Sequence, residues 1–179
     1  LKARMARASE NEDYEEAARL RDRIAAVERT VERQQIVVEK PVERDVFALA
    51  RRAGELSLQV LHVREGRVIG AEDFEFSDVR IDDGELMSSF LGQYYGSGGE
   101  EQARPVPREV LSSTPVDEEG ALGEWLSEKS GRKVVLRTPQ RGGSRELTEI
   151  AVRNAELSLE RRLAEQQSLD ATLEELREK

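Results

Sequence analysis

The chain has no cysteine among its 179 residues, which excludes disulfides, thiolate metal sites and cysteine nucleophiles. Its single histidine, His62, leaves no second imidazole for a histidine metal cluster or a histidine acid/base pair. No apolar run is long enough to span a bilayer, and no charged-then-apolar signal segment precedes the rest. The expected location is therefore the cytoplasm, without membrane contact. A phosphate-binding loop is also missing: Gly96-Ser97-Gly98-Gly99 lacks the Lys-Ser/Thr ending, so the glycines read as a mobile loop. Nor is there a basic surplus. The net charge is -9, and residues 45–130 carry eight basic and eighteen acidic side chains, a balance that repels phosphate.

One short stretch departs from that balance. Gly131–Arg145 holds Arg132, Lys133, Arg137, Arg141 and Arg145 with no acid among them. Arg137, Arg141 and Arg145 flank a Pro-Gly turn whose exposed amides add donors suited to phosphate. DNA-backbone contact is one reading of the segment; the other is a solvated face that balances the acidic middle.

The opening residues carry the clearest pattern. A short first helix lapses at Ser9, Glu10 and Asn11, and a second begins near Glu12. In that second helix Ala17, Leu20, Ile24, Val27 and Val31 follow a 3-4-3-4 spacing on one seam. Two helices this short remove too little apolar surface from water to offset their ordering entropy, so the seam needs a partner or the rest of its own chain.

Behind the hairpin, Gln34–Glu43 reads as an extended connector ending near Pro41. Three strand-like runs follow, Asp45–Ala50, Leu56–Val63 and Arg67–Phe76, separated by Ala53-Gly54-Glu55 and Arg64-Glu65-Gly66 turns. Asp82 and Asp83 can cap a helix in which Leu86, Phe90, Leu91 and Tyr94 recur before Gly96. Ser97–Arg104 reads as a loop, Pro107–Leu111 as a fourth strand, and Glu118–Ser130 as a helix with Leu122, Trp125 and Leu126 inward. Lys133–Arg137 reads as a fifth strand. A long helix from Ser144 to about Gln167 places Leu147, Ile150, Ala151, Asn154 and Leu157 on one face, and Leu169, Leu173 and Leu176 form a last short helix. The fold class is α+β, with a five-stranded mixed sheet and flanking helices in the order of an RNase H-like domain. A generic α+β sheet is the alternative. The domain limits are 1–34 for the hairpin, 35–44 for the connector, 45–167 for the sheet domain and 168–179 for the C-terminal helix.

These residues resemble the UvrC proteins, a component of the UvrABC excinuclease of bacterial nucleotide excision repair. Met5, Ala8, Asp13-Tyr14-Glu15, Ala17-Ala18, Leu20-Arg21-Asp22 and Ile24 are similar to the UVR motif, with Tyr14 where the family more often has Phe. The motif also occurs in UvrB and in chaperone-associated proteins. Asp45–Ala50, Gln59–Leu61 through Gly66–Gly70, Phe90–Tyr95, Pro107–Leu111 and Pro139–Gly143 with Asn154-Ala155 resemble the middle region of the UvrC proteins. Neither of the family's two nuclease sites matches residues here, and the chain is expected to be a piece of a larger protein.

The resemblance implies that Met5, Ala8, Tyr14, Glu15, Ala17, Ala18, Leu20, Arg21, Asp22 and Ile24 bind a matching hairpin on UvrB, with Tyr14 as the aromatic anchor and Arg21 and Asp22 as rim charges. It implies damaged DNA as a partner within the larger assembly. An RNase H-type nuclease needs carboxylates on the first strand, on the first helix and at the end of the fourth strand to hold two metal ions. Here the fourth strand ends in Ser112-Ser113, so Asp45 and Glu85 read as surface acids, and the segment is expected to be catalytically silent, with no metal and no cofactor. His62 reads as an ordinary, partly buried strand residue. The rival is a UVR adaptor for a chaperone ATPase or kinase; such adaptors tend to carry Cys-based zinc motifs, which this chain lacks.

Overall fold

The computed structural model describes residues 42–97 and 104–177, with side chains through residue 168, all within one compact unit, Val37–Lys179. The expected hairpin, most of the connector, the middle of the Gly-rich loop and the Leu169, Leu173 and Leu176 side chains lie outside the described residues.

β1 (Arg44–Arg52), β2 (Glu55–Arg64) and β3 (Arg67–Phe76) form an antiparallel meander. Its two turns are Ala53-Gly54, with φ of 52° and 84°, and Glu65-Gly66, with φ of 51° and 75°. Two consecutive left-handed residues match the right-handed twist of the strands they join. α1 (Asp83–Gly96) starts at Asp82, whose side chain accepts hydrogen bonds from the Gly84 and Glu85 amides. β4 (Glu109–Ser112) then runs parallel to β1, α2 (Glu119–Ser130) follows, and β5 (Val135–Arg137) runs parallel to β4. α3 (Gly143–Arg177) ends the described chain. The sheet order is β3-β2-β1-β4-β5, so the α+β, RNase H-like reading holds.

Strand alternation divides the core into two layers. Phe47 of β1 and Leu56, Leu58 and Val60 of β2 pack with Leu86, Met87, Leu91, Tyr94 and Tyr95 of α1 and Leu126 of α2. On the other face Ala50 meets Ala155, Leu159 and Leu163 of α3. Trp125 lies at the edge of the first layer as a partly buried member.

Three boundaries differ from the sequence reading. β4 opens at Glu109 rather than Pro107, because proline has no amide to give the ladder, while the Glu109 amide bonds the Glu43 carbonyl. β5 is correspondingly short. α3 does not break after Gln167 but continues to Arg177, since no Gly or Pro interrupts it. Its inward row is Leu147, Ala151, Ala155 and Leu159, whereas Leu157 is 57 % exposed. Ten residues after Leu147, Leu157 is turned roughly 80° from it, in the sense opposite to Ala151 and Ala155.

Candidate functional site

The most connected polar group of the described unit lies at the start of β1, on the face covered by α1. Asp45 is not the surface acid that the sequence suggests; it is 1 % exposed. The antiparallel register sets it opposite His62, and Asp45 Oδ1 accepts from His62 Nδ1 and from Arg64 Nη1, both at 2.9 Å. Its second oxygen accepts from the Tyr95 hydroxyl at 2.7 Å. Each of its oxygens thus has a donor, which offsets the cost of burying a carboxylate.

His62 extends the network outward. Its Nε2 lies 2.9 Å from Glu72 Oε1 on β3. That oxygen also accepts from the Tyr94 hydroxyl and from Arg104 Nη1, each at 2.6 Å. The Arg104 guanidinium lies 4.1 Å above the Tyr94 ring centroid, a cation–π contact that holds it in place. His62 is thus a junction between strands and helix rather than an ordinary strand residue. Hydrogen bonding to Asp45 raises its pKa, against the opposing effect of burial, and Glu72 adds to the rise. Burial pushes the Glu72 pKa up, but the bonds from Arg104, Tyr94 and His62 outweigh it and bring it down to about 2. Burial, with Glu72 alongside, holds the Tyr94 hydroxyl well above its ordinary range.

These carboxylates do not converge on a common point. Asp45 and Glu72 sit on opposite nitrogens of one ring, and among the described residues no group of three or more His, Asp or Glu is arranged to hold a metal ion. Further along β1 the neighbours are of another kind, with Ser112 in register with Phe47. Ser112 Oγ donates to the Thr114 carbonyl at 2.6 Å, and Ser113 Oγ accepts from the Leu49 amide at 3.3 Å. Arg51, near the end of β1, donates to Asp83 Oδ1 and to the Val79 and Ile81 carbonyls, each at 2.9 Å. Two hydroxyls therefore stand at the end of β4, where a two-metal site would need an acid. Glu85 is exposed on α1, as expected.

The basic stretch does not form one surface. Arg137 donates to Glu109 Oε1 from Nε at 2.9 Å and from Nη2 at 2.6 Å, and reaches Ser144 Oγ at 3.1 Å. Arg44 binds the other oxygen of the same carboxylate. Burial raises the Glu109 pKa, but the two arginines outweigh it and lower it. Arg132 donates to the Val106 carbonyl at 3.0 Å and Glu43 at 3.3 Å, and Arg145 to Glu149 at 2.8 Å and the Gln140 carbonyl at 3.1 Å. Lys133 and Arg141 are exposed and, among the described residues, have no ion-pair partner. Three of the five charges are thus engaged within the fold. The Asp45–His62–Glu72 array escaped the sequence reading because its members are 17 and 10 residues apart and meet only through antiparallel register.

Comparison with known proteins adds identity to this geometry. Residues 43–162 match the family described as the UvrC Ribonuclease H-like domain, and residues 1–30 match the UvrB/uvrC motif. The UvrABC system protein C of Citrifermentans bemidjiense is 40 % identical over 178 residues, covering 99 % of this chain and 27 % of the relative. That of Geobacter sp. (strain M21) is 40 % identical over 178 residues, with 99 % of this chain and 26 % of the relative covered. That of Symbiobacterium thermophilum is 39 % identical over 180 residues, with 99 % and 28 % covered. The chain therefore spans about a quarter of the length of the curated relatives it matches. With 43–162 matched and the sheet ordered as that fold requires, the chain belongs to the UvrC Ribonuclease H-like domain family.

Proposed function

We propose that this chain is a recruitment and spacing segment of the UvrABC excision-repair system, acting in the cytoplasm on damaged DNA. Residues 1–34 dock UvrB through Met5, Tyr14, Leu20 and Ile24, and the sheet domain orients nuclease domains on either side without cutting DNA itself. The observation that carries the reading is the pairing, in one chain, of the UvrB/uvrC motif with the UvrC Ribonuclease H-like domain. The 3-4-3-4 apolar spacing of Ala17, Leu20, Ile24, Val27 and Val31 calls for a complementary apolar surface, and a matching UVR motif supplies one.

The silent-domain part of the proposal is supported by chemistry at two places. Asp45 and Glu72 are already paired with His62, Arg64 and Arg104, and the end of β4 offers the hydroxyls of Ser112 and Ser113 in place of an acid. Two-metal hydrolysis needs free, convergent carboxylates. The adaptor reading is less favoured, because the relatives carry the name UvrABC system protein C. Two measurements test the proposal. In sedimentation velocity the chain co-migrates with UvrB, and no cleavage of labelled duplex or single-stranded DNA appears with Mg²⁺ or Mn²⁺. Failure to co-migrate overturns the docking role, and metal-dependent cleavage abolished by Asp45→Asn overturns the silent domain.

A further inference from the structure

Among the described residues, the charged and hydroxyl groups around His62 form one hydrogen-bond array: Asp45 from β1, Arg64 from β2, Glu72 from β3, Tyr94 and Tyr95 from α1, and Arg104 just beyond α1. α3 packs on the opposite face of the sheet and contributes none of them. Both ring nitrogens lie 2.9 Å from a carboxylate oxygen. An ionised carboxylate only accepts, so both contacts are hydrogen bonds only if both nitrogens carry protons. Each carboxylate has two further donors, Arg64 and Tyr95 on Asp45, Arg104 and Tyr94 on Glu72, so both already act as acceptors, and on Glu72 these bonds bring the pKa down to about 2.

A second observation indicates what happens when one of those protons leaves. The Tyr94 hydroxyl is 2.6 Å from Glu72 Oε1 and 3.4 Å from His62 Nε2, so a small rotation exchanges one acceptor for the other. The Asp45 side chain is 2 % exposed and that of Glu72 is 32 % exposed. The drier anion holds its donor more strongly, so the proton facing Glu72 is the one released.

We propose that His62 is a charge-dependent clasp: doubly protonated, it ties β1 to β3 and α1, and on losing its Nε2 proton to solvent it lets go of Glu72 and accepts from the Tyr94 hydroxyl instead. In the released form β3 keeps its ladder bonds to β2, and Glu72 keeps Arg104. Tyr95 of α1 keeps its bond to Asp45, while the Tyr94 contact passes from a charge-assisted bond to Glu72 to a neutral one to His62, which is the weaker of the two. The unit therefore has a pH-responsive corner built from the chain's only histidine.

That solitary histidine makes the test direct. Long-range ¹H–¹⁵N correlation on the whole chain gives one pair of imidazole nitrogens, followed from pH 5.5 to 9. The proposal requires both nitrogens protonated at pH 7, a midpoint above the ordinary 6.5, and Nε2 as the nitrogen that deprotonates. Glu72→Gln lowers the midpoint by about one pH unit or more, since it removes a negative charge in direct contact. Tyr94→Phe raises it, because the neutral ring loses its substitute donor. A neutral Nε2 at pH 7, a midpoint at or below 6.5, or a midpoint unmoved in both variants overturns the proposal.

Discussion

Arg51 Nε donates to Asp83 Oδ1 at 2.9 Å, joining the end of β1 to the first turn of α1. The same guanidinium holds the Val79 and Ile81 carbonyls, so one side chain fixes the whole connection between β3 and α1. Arg51→Met is expected to cost about 1.5–3 kcal/mol in urea unfolding, the range for hydrogen bonds to charged groups. Arg51→Lys recovers only part, because an ammonium has no planar fork to serve three acceptors in one plane.

Glu72 makes stability depend on pH in the acid range. Its folded pKa, about 2, lies below the ordinary 4.5. Its contribution is therefore complete above pH 4.5 and is lost as the pH falls through the folded value. The urea midpoint of the wild type should fall more steeply than that of Glu72→Gln as pH drops through that window. Parallel curves would contradict the assignment.

Ala53 occupies the first position of a left-handed two-residue turn, at φ 52°. Asn accepts that conformation with less strain than Ala. Ala53→Asn should therefore stabilise the unit by roughly 0.5–1 kcal/mol, read as a higher melting temperature.

Two arginines of the basic stretch should behave differently. Arg141 is exposed and without an ion-pair partner among the described residues, so Arg141→Glu leaves the melting curve in place while weakening any salt-dependent DNA binding. Arg137 supports Glu109, and Arg137→Glu sets like charges together at a cost of roughly 1–3 kcal/mol, less than a fully buried pair because Arg137 is 40 % exposed. Thermal melts beside DNA anisotropy at two salt concentrations separate the two effects.

The antiparallel strands, their turns and the start of α1 were legible because each rests on local chemistry: Ala53-Gly54 and Glu65-Gly66 permit tight left-handed turns, and Asp82 caps α1. The inward face of α3 was not, since a row that includes Ala155 and excludes Leu157 shows only when the helix lies against Ala50. The state of charged residues was least legible. Asp45, His62 and Glu109 owe their burial and partners to strand register, and nothing in their immediate neighbours marks them. The five-residue basic run read as one surface because sequence proximity hides the acids, Glu43 and Glu109, that come from elsewhere in the chain.

The central claim is that the opening residues recruit UvrB, and Tyr14 is where it is most exposed to test. An aromatic anchor is worth about 2 kcal/mol or more, so truncating it costs at least roughly thirtyfold in affinity. Calorimetric titration of the whole chain with the C-terminal hairpin of UvrB should show saturable binding that Tyr14→Ala weakens by that factor. Equal affinity in wild type and variant, or no binding by the wild type, would contradict it.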